Sequence, residues 1–152
     1  MAVEPDEIVL GPARYVRDAG LIAVAVTDAE SAPAGALWVT ERPRLAVVRV
    51  EDAGGRATGP VYRAASGGTL AVPTGRVFVR FGEDCSPDEQ NAIAQGAGYR
   101  TESTPSWAPH SAWLVAAVGG AREALAALPG LLARRGVRHA EPELLRPAAR
   151  RG

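Results

Sequence analysis

A strongly marked helix start in the second half of the chain is the feature that most constrains the fold. In CSPDEQNAIAQGAGY, Ser86 is a good N-cap, Pro87 suits the first helical position and Glu89 completes a capping box. Gly98 supplies the left-handed exit that ends many helices. The pattern predicts a helix over residues 87–97, whose thin apolar face must gain its stability by docking.

A second helix is predicted in GGAREALAALPG. Ala121, Leu125 and Leu128 form an apolar stripe at helical spacing, which favours one buried face. Pro129 is expected to end this helix, because a proline inside a helix removes a hydrogen bond and clashes with the preceding turn.

Strand-like runs flank and separate these two helices. In RVFVRF, alternation places Val77, Val79 and Phe81 on one face, which we expect to face a core. Runs before and after the second helix give the order strand, helix, strand, strand, helix, strand over residues 75–145. This order predicts an α+β fold, a ferredoxin-like split βαβ antiparallel sheet with two helices on one face.

The first half of the chain has a different pattern. Between residues 20 and 63, short Val- and Ile-rich runs alternate with turn-forming clusters such as SAPAG and DAGGRATG, which favours antiparallel strands. The stretch GGTLAVPTG, residues 67–75, breaks this pattern. We therefore predict a β-rich N-terminal subdomain over residues 1–71 and a second domain over residues 72–152. The first half is either a degenerate copy of the second that has lost its helices or similar to it by chance.

The net charge of the chain and the composition of its N-terminus indicate which partners and which location to expect. Basic and acidic side chains number 17 each, so no overall field attracts nucleic acid or anionic lipid. The N-terminus carries acids and a proline where a signal peptide needs a basic start and a long apolar run, and no apolar stretch approaches a membrane span. We expect a cytoplasmic protein with no nucleic-acid partner and no membrane partner.

The residues needed for common catalytic and metal sites are scarce. Cys85 is the only cysteine, and His110 and His139 are the only histidines. A serine protease needs a nucleophile, a base and an orienting acid, and zinc needs closely spaced ligands; neither pattern is present. The sequence therefore predicts a protein that is not an enzyme and that uses no metal and no cofactor.

The order of motifs in the second half resembles a known family. VPTGRVFVRF, the capped helix, WAPHSAWLVAAV, a helix ending in LAALPG, and VRHAEPELL are together similar to the N-terminal prodomain of subtilisin-like serine proteases, over residues 72–145. The resemblance implies an intramolecular chaperone and temporary inhibitor, whose sheet packs on the protease and whose C-terminal tail lies in the substrate cleft. The expected partner is a subtilisin-like serine protease, bound in cis or in trans. LLARRG, between Gly130 and Val137, departs from the family and is expected to add a short helical turn.

The end of the chain supplies the candidate binding residues. Pro142 has no amide hydrogen for a sheet ladder, so the last strand should lie at an edge or end there. By the resemblance, the segment after it extends toward the cleft, with Leu144 and Leu145 as apolar anchors; alternatively, these leucines close the core of the sheet itself. The candidate partner-binding residues are Glu141, Pro142, Glu143, Leu144, Leu145, Arg146 and, in the proline-rich loop STPSWAPHS, Trp107.

A second function stays open beside the first. The insertion after Gly130 and the arginine-rich C-terminal region also suit a non-catalytic protein-interaction or scaffold module with the same fold. Inhibition of a protease by the intact chain would distinguish the two functions, because only the first requires it.

Overall fold

The computed structural model describes residues 3–27, 32–56 and 58–147. The chain divides into two compact units. The first, which we call the N-terminal unit, comprises Pro5–Thr74 and the segment from Leu144 onward. The second, which we call the C-terminal unit, comprises Gly75–Glu143 and the residues up to Glu4.

The N-terminal unit is built from antiparallel strands. Its strands are β1 Glu7–Leu10, β2 Ala13–Ala25, β3 Trp38–Val39, β4 Leu45–Arg49 and β5 Thr58–Ala64. The long strand β2 pairs with β1, β4 and β5, and β3 pairs with β4. Apolar side chains of β2, β4 and β5 fill the interior, namely Leu21, Ala23, Val47 and Val61, and the two valines are fully buried.

The C-terminal unit combines strands with two helices. Its elements are β6 Leu70–Phe81, α1 Pro87–Gly96, β7 Tyr99–Ser103, β8 Ser111–Ala116, α2 Ala121–Leu132 and β9 Val137–Leu145. Strand β8 pairs antiparallel with β6 and with β7, and β9 pairs with β6. Strand β6 starts in the N-terminal unit, and β9 ends in it.

The core of the C-terminal unit lies between the sheet and the two helices. Val77, Val79 and Phe81 of β6 are buried there, which confirms the face predicted from alternation. Ala94 of α1 and Leu131 of α2 belong to the same buried cluster. Both helices therefore pack on the same face of the sheet.

The predicted fold class is wrong. The chain forms a large antiparallel sheet of nine strands among the described residues, with 45% of residues in strands and 18% in two short helices, and not a compact ferredoxin-like fold. The physical reason is the long strand β6, which pairs with β5 through Tyr62–Ala71 and with β8 through Phe78–Trp113. The first residues of β6 thus pair with β5, and its later residues pair with β8.

Strand β6 begins at Leu70, inside the stretch at residues 67–75 where the sequence pattern changes, and runs without interruption to Phe81. Pro73 is buried within the strand, and Gly75 has a φ of +96°, which lies in the left-handed region. A Cβ at Gly75 would lie 3.4 Å from the backbone nitrogen of Ala121, at the start of α2. That distance is an ordinary van der Waals contact, so it is the positive φ that favours glycine here.

Two other elements, α2 and β9, continue through a proline. Helix α2 continues through Pro129 to Leu132, so the prediction that Pro129 ends it is wrong. Strand β9 continues through Pro142 to Leu145, so of the two predicted alternatives, an edge position or a strand end, the strand end is wrong. Since β9 pairs only with β6 among the described strands, it is an edge strand, where the missing amide hydrogen need not interrupt a ladder.

The capping box of α1 is confirmed. The Ser86 hydroxyl accepts a hydrogen bond from the Glu89 amide at 3.2 Å, and the Glu89 carboxylate accepts one from the Ser86 amide at 3.3 Å. The helix starts at Pro87, as predicted.

Replacing Ser86 with alanine is expected to lower the free energy of unfolding by about 1 kcal/mol, because a backbone amide at the helix start loses its acceptor. Urea unfolding monitored by circular dichroism measures the change. Ser103→Ala, at an exposed serine at the end of β7, is the control and should leave stability within about 0.5 kcal/mol of the parent. Equal effects at both positions would contradict the role of the cap.

Across residues 3–27, 32–56 and 58–147, none of the helices has the length and apolar character needed to cross a membrane.

Candidate protein-binding surface

The face of the C-terminal sheet that carries neither helix presents aromatic and cationic side chains. Because side chains alternate along a strand, Arg76 and Phe78 of β6 lie opposite the face that holds Val77 and Val79. The register pairs Phe78 with Trp113 of β8. Arg76, Phe78 and Trp113 together form what we call the sheet-face cluster.

Direct contacts hold this cluster together. The rings of Phe78 and Trp113 meet edge to face, with centroids 5.0 Å apart and planes at 61°. The guanidinium of Arg76 lies over the Trp113 ring, 4.1 Å from its centroid. Such aromatic pairs and cation–π contacts each contribute about 0.5–1.5 kcal/mol when partly desolvated.

Two carboxylates from neighbouring strands fix the arginine of the cluster. Arg76 donates to Glu102 of β7 at 2.8 Å and to Glu143 of β9 at 3.3 Å. The guanidinium therefore links three strands and keeps its flat face on Trp113. The result is a pre-organised surface of two half-buried aromatic rings and one oriented cation.

Trp107 lies in the loop between β7 and β8, and 78% of its surface is exposed. The backbone amide of Ala108 donates to Pro105 at 3.1 Å, and that of Ser111 donates to Ala108 at 2.9 Å, so consecutive turns fix the loop. An exposed tryptophan on a loop held in this way suits contact with another molecule.

The other six predicted binding residues lie in or just after β9. Pro142 is buried, and Glu143 contacts Arg76. Leu144 and Leu145 are half-buried strand residues, and Arg146 donates to the Tyr15 hydroxyl at 3.0 Å. Glu141 lies 3.1 Å from the Nε2 atom of His139. The segment through Leu145 is thus held in the sheet of this chain, while Trp107 lies on a separate loop.

The sheet-face cluster was not predicted from the sequence. Alternation in RVFVRF indicates which face Arg76 and Phe78 share, but it cannot tell that Trp113 pairs with Phe78. That pairing joins strands separated by a helix and a third strand, so only the register reveals it.

Burial raises the pKa values of two groups in the C-terminal unit, the Cys85 thiol and the Tyr99 hydroxyl. Burial raises the pKa of the Cys85 thiol, and the nearby carboxylates of Glu89 and Asp84 raise it further. A reactive cysteine needs the opposite shift, since the thiolate is the nucleophile. Burial likewise raises the pKa of Tyr99, whose hydroxyl donates to the Ala124 carbonyl. Among the described residues, no group of three His, Cys, Asp or Glu side chains could hold a metal ion.

No protein-family model matches the chain, and neither a curated protein nor a solved structure matches it significantly.

Proposed function

We propose that the C-terminal unit packs the sheet-face cluster on a subtilisin-like serine protease and acts as its inhibitor and folding aid. The motif order over residues 72–145 suggests the partner. The observation that carries the mode of binding is the cluster of Arg76, Phe78 and Trp113 on the face without helices. Tryptophan and arginine are enriched among the residues that contribute most to protein–protein binding.

The position of β9 changes which residues we propose for the protease cleft. A segment that adds to an exposed strand of a partner needs backbone groups not already used in a sheet. Glu143, Leu144 and Leu145 belong to β9, so we propose that they hold the tail on the sheet. We propose instead that the segment beginning at Arg146 binds in the protease cleft. Residues 148–152 of this segment lie outside the described residues.

The intact chain is expected to inhibit a subtilisin-like protease and to reach full inhibition near an equimolar ratio, because a sheet-sized interface supports tight binding. Hydrolysis of a chromogenic peptide by a panel of purified subtilisin-like proteases measures the effect. A chymotrypsin-like protease is the control, since it shares the catalytic chemistry but not the surface, and its activity should not change.

No inhibition of any member of the panel at about 10 µM chain, together with no complex on gel filtration, would contradict the proposal. A variant that ends at Pro147 separates the two parts of the mechanism. It should still bind the protease through the sheet but inhibit it less.

A non-catalytic scaffold module is the second candidate, and one observation favours it. Arg146, the first residue after β9, is already bonded to Tyr15 within the N-terminal unit. A tail used in this way serves the fold of its own chain. Stable binding of a protease whose activity stays unchanged would select the scaffold.

A further inference from the structure

A cleft in the C-terminal unit lies where β6 ends and β9 begins, beside the loop that precedes β8. It has a volume of about 610 Å³. A backbone hydrogen bond joins two of the residues that line it: the Phe81 amide donates to the His110 carbonyl at 2.7 Å. The cleft is therefore built on the ordered end of a strand.

Two arginines give the cleft a net positive charge. Arg80 and Arg138 line it and are exposed, and neither forms a hydrogen bond or an ion pair with the residues that the structure describes. Glu83 is the one acidic residue in the described lining. Arg138 also borders a second cleft that contains Asp84, without an ion pair between the two. Two guanidinium groups thus have donors available for an anion.

Two histidines, His110 and His139, also line the cleft. The Nδ1 atom of His110 is buried and has no hydrogen-bond partner within the described part of the chain. Leaving a buried polar atom unpaired is unfavourable. His139, on the same lining, has its Nε2 atom beside Glu141.

An exposed aromatic ring completes the lining. The indole of Trp107 offers a flat apolar surface next to the two arginines. A ligand that matches this lining carries a carboxylate beside an apolar or aromatic group, as an acidic peptide segment does.

We infer that this cleft binds an acidic side chain of a partner protein, with Arg80 and Arg138 donating to the carboxylate and Trp107 packing on the residue next to it. The proposed site requires only a carboxylate beside an apolar or aromatic group, and the inference does not depend on whether the partner is a protease.

The test uses the full chain and two blocked tripeptides, Glu-Phe-Glu and its uncharged counterpart Gln-Phe-Gln. Their binding is followed by NMR titration. The acidic peptide should shift the amide signals of residues that line the cleft, and the uncharged peptide should not. Raising the salt concentration should weaken binding, because screening reduces the attraction between exposed charges.

Arg80→Ala and Arg138→Ala are each expected to weaken binding of the acidic peptide about tenfold, since charge-assisted hydrogen bonds are lost. Arg100→Ala is the matched control, because Arg100 is exposed on β7 and does not line the cleft. It should change the affinity by less than about twofold. The amide spectrum of each free variant reports whether the fold is intact.

Three results would overturn the inference. The first is equal binding of the two peptides, and the second is an equal loss in the Arg100 control. The third is inorganic phosphate shifting the same signals at the same concentration, which would make the cleft a general anion site without a preference for peptides.

Discussion

Alanine in place of Phe81 is expected to lower the free energy of unfolding by about 3–5 kcal/mol, the range for a fully buried phenylalanine. Phe81 is 2% exposed and belongs to the buried cluster that joins β6 to both helices. Its removal leaves a cavity in a core where neighbouring side chains are already closely packed. Urea unfolding followed by circular dichroism measures the loss.

Phe78→Ala is the matched control for this experiment, because it changes the same residue type three positions earlier on the same strand. Phe78 is half-buried and lies on the opposite face, against Trp113. Its loss of stability should be clearly smaller, about 1–2 kcal/mol. Equal losses at the two positions would contradict the assignment of the faces of β6.

Local sequence signals were reliable where a short stretch determines its own structure. The hydrogen bonds of the capping box join Ser86 to Glu89, so the start of α1 could be predicted from three residues. Strand alternation in RVFVRF likewise identified Val77, Val79 and Phe81 as core residues, because side chains on a strand alternate between faces.

The same local signals failed where distant contacts decide. Pro73 and Gly75 are typical of a break, yet pairing with β5 and β8 keeps β6 continuous through both. Pro142 is typical of a strand end, yet the edge position of β9 tolerates it. The predicted fold class failed for this reason, since the continuity of β6 depends on pairing with both β5 and β8, which local spacing does not reveal.

The candidate binding residues also differ in whether local sequence signals could identify them. Trp107 was identified from its proline-rich loop and is exposed. Pro142 left open whether the last strand lies at an edge or ends there; the residues from Glu141 to Leu145 lie in β9, at the edge of the sheet. The sheet-face cluster depends on the register of β6 and β8, and the cleft lined by Arg80 and Arg138 depends on the course of β9; neither could be derived from spacing along the chain.

The substitution Trp113→Ala should weaken binding to a subtilisin-like protease most strongly, with a rise of about 30-fold or more in the inhibition constant. A central interface tryptophan contributes about 2 kcal/mol or more when truncated. The variant is selective, because Glu102 and Glu143 still hold Arg76 in place after the indole is removed. Inhibition titrations at a temperature where the variant is fully folded measure the change.

Trp38→Ala provides the control for that experiment. Trp38 is also a half-buried tryptophan on a strand, but it belongs to the N-terminal unit and packs on the core of that unit. Its removal should lower stability and leave the inhibition constant within about twofold of the parent, since the proposed docking surface is intact. Wild-type inhibition by Trp113→Ala, or an equal loss in Trp38→Ala, would place the docking surface away from the sheet-face cluster. Weaker inhibition in the first variant alone would tie protease binding to the face of the sheet that neither helix covers.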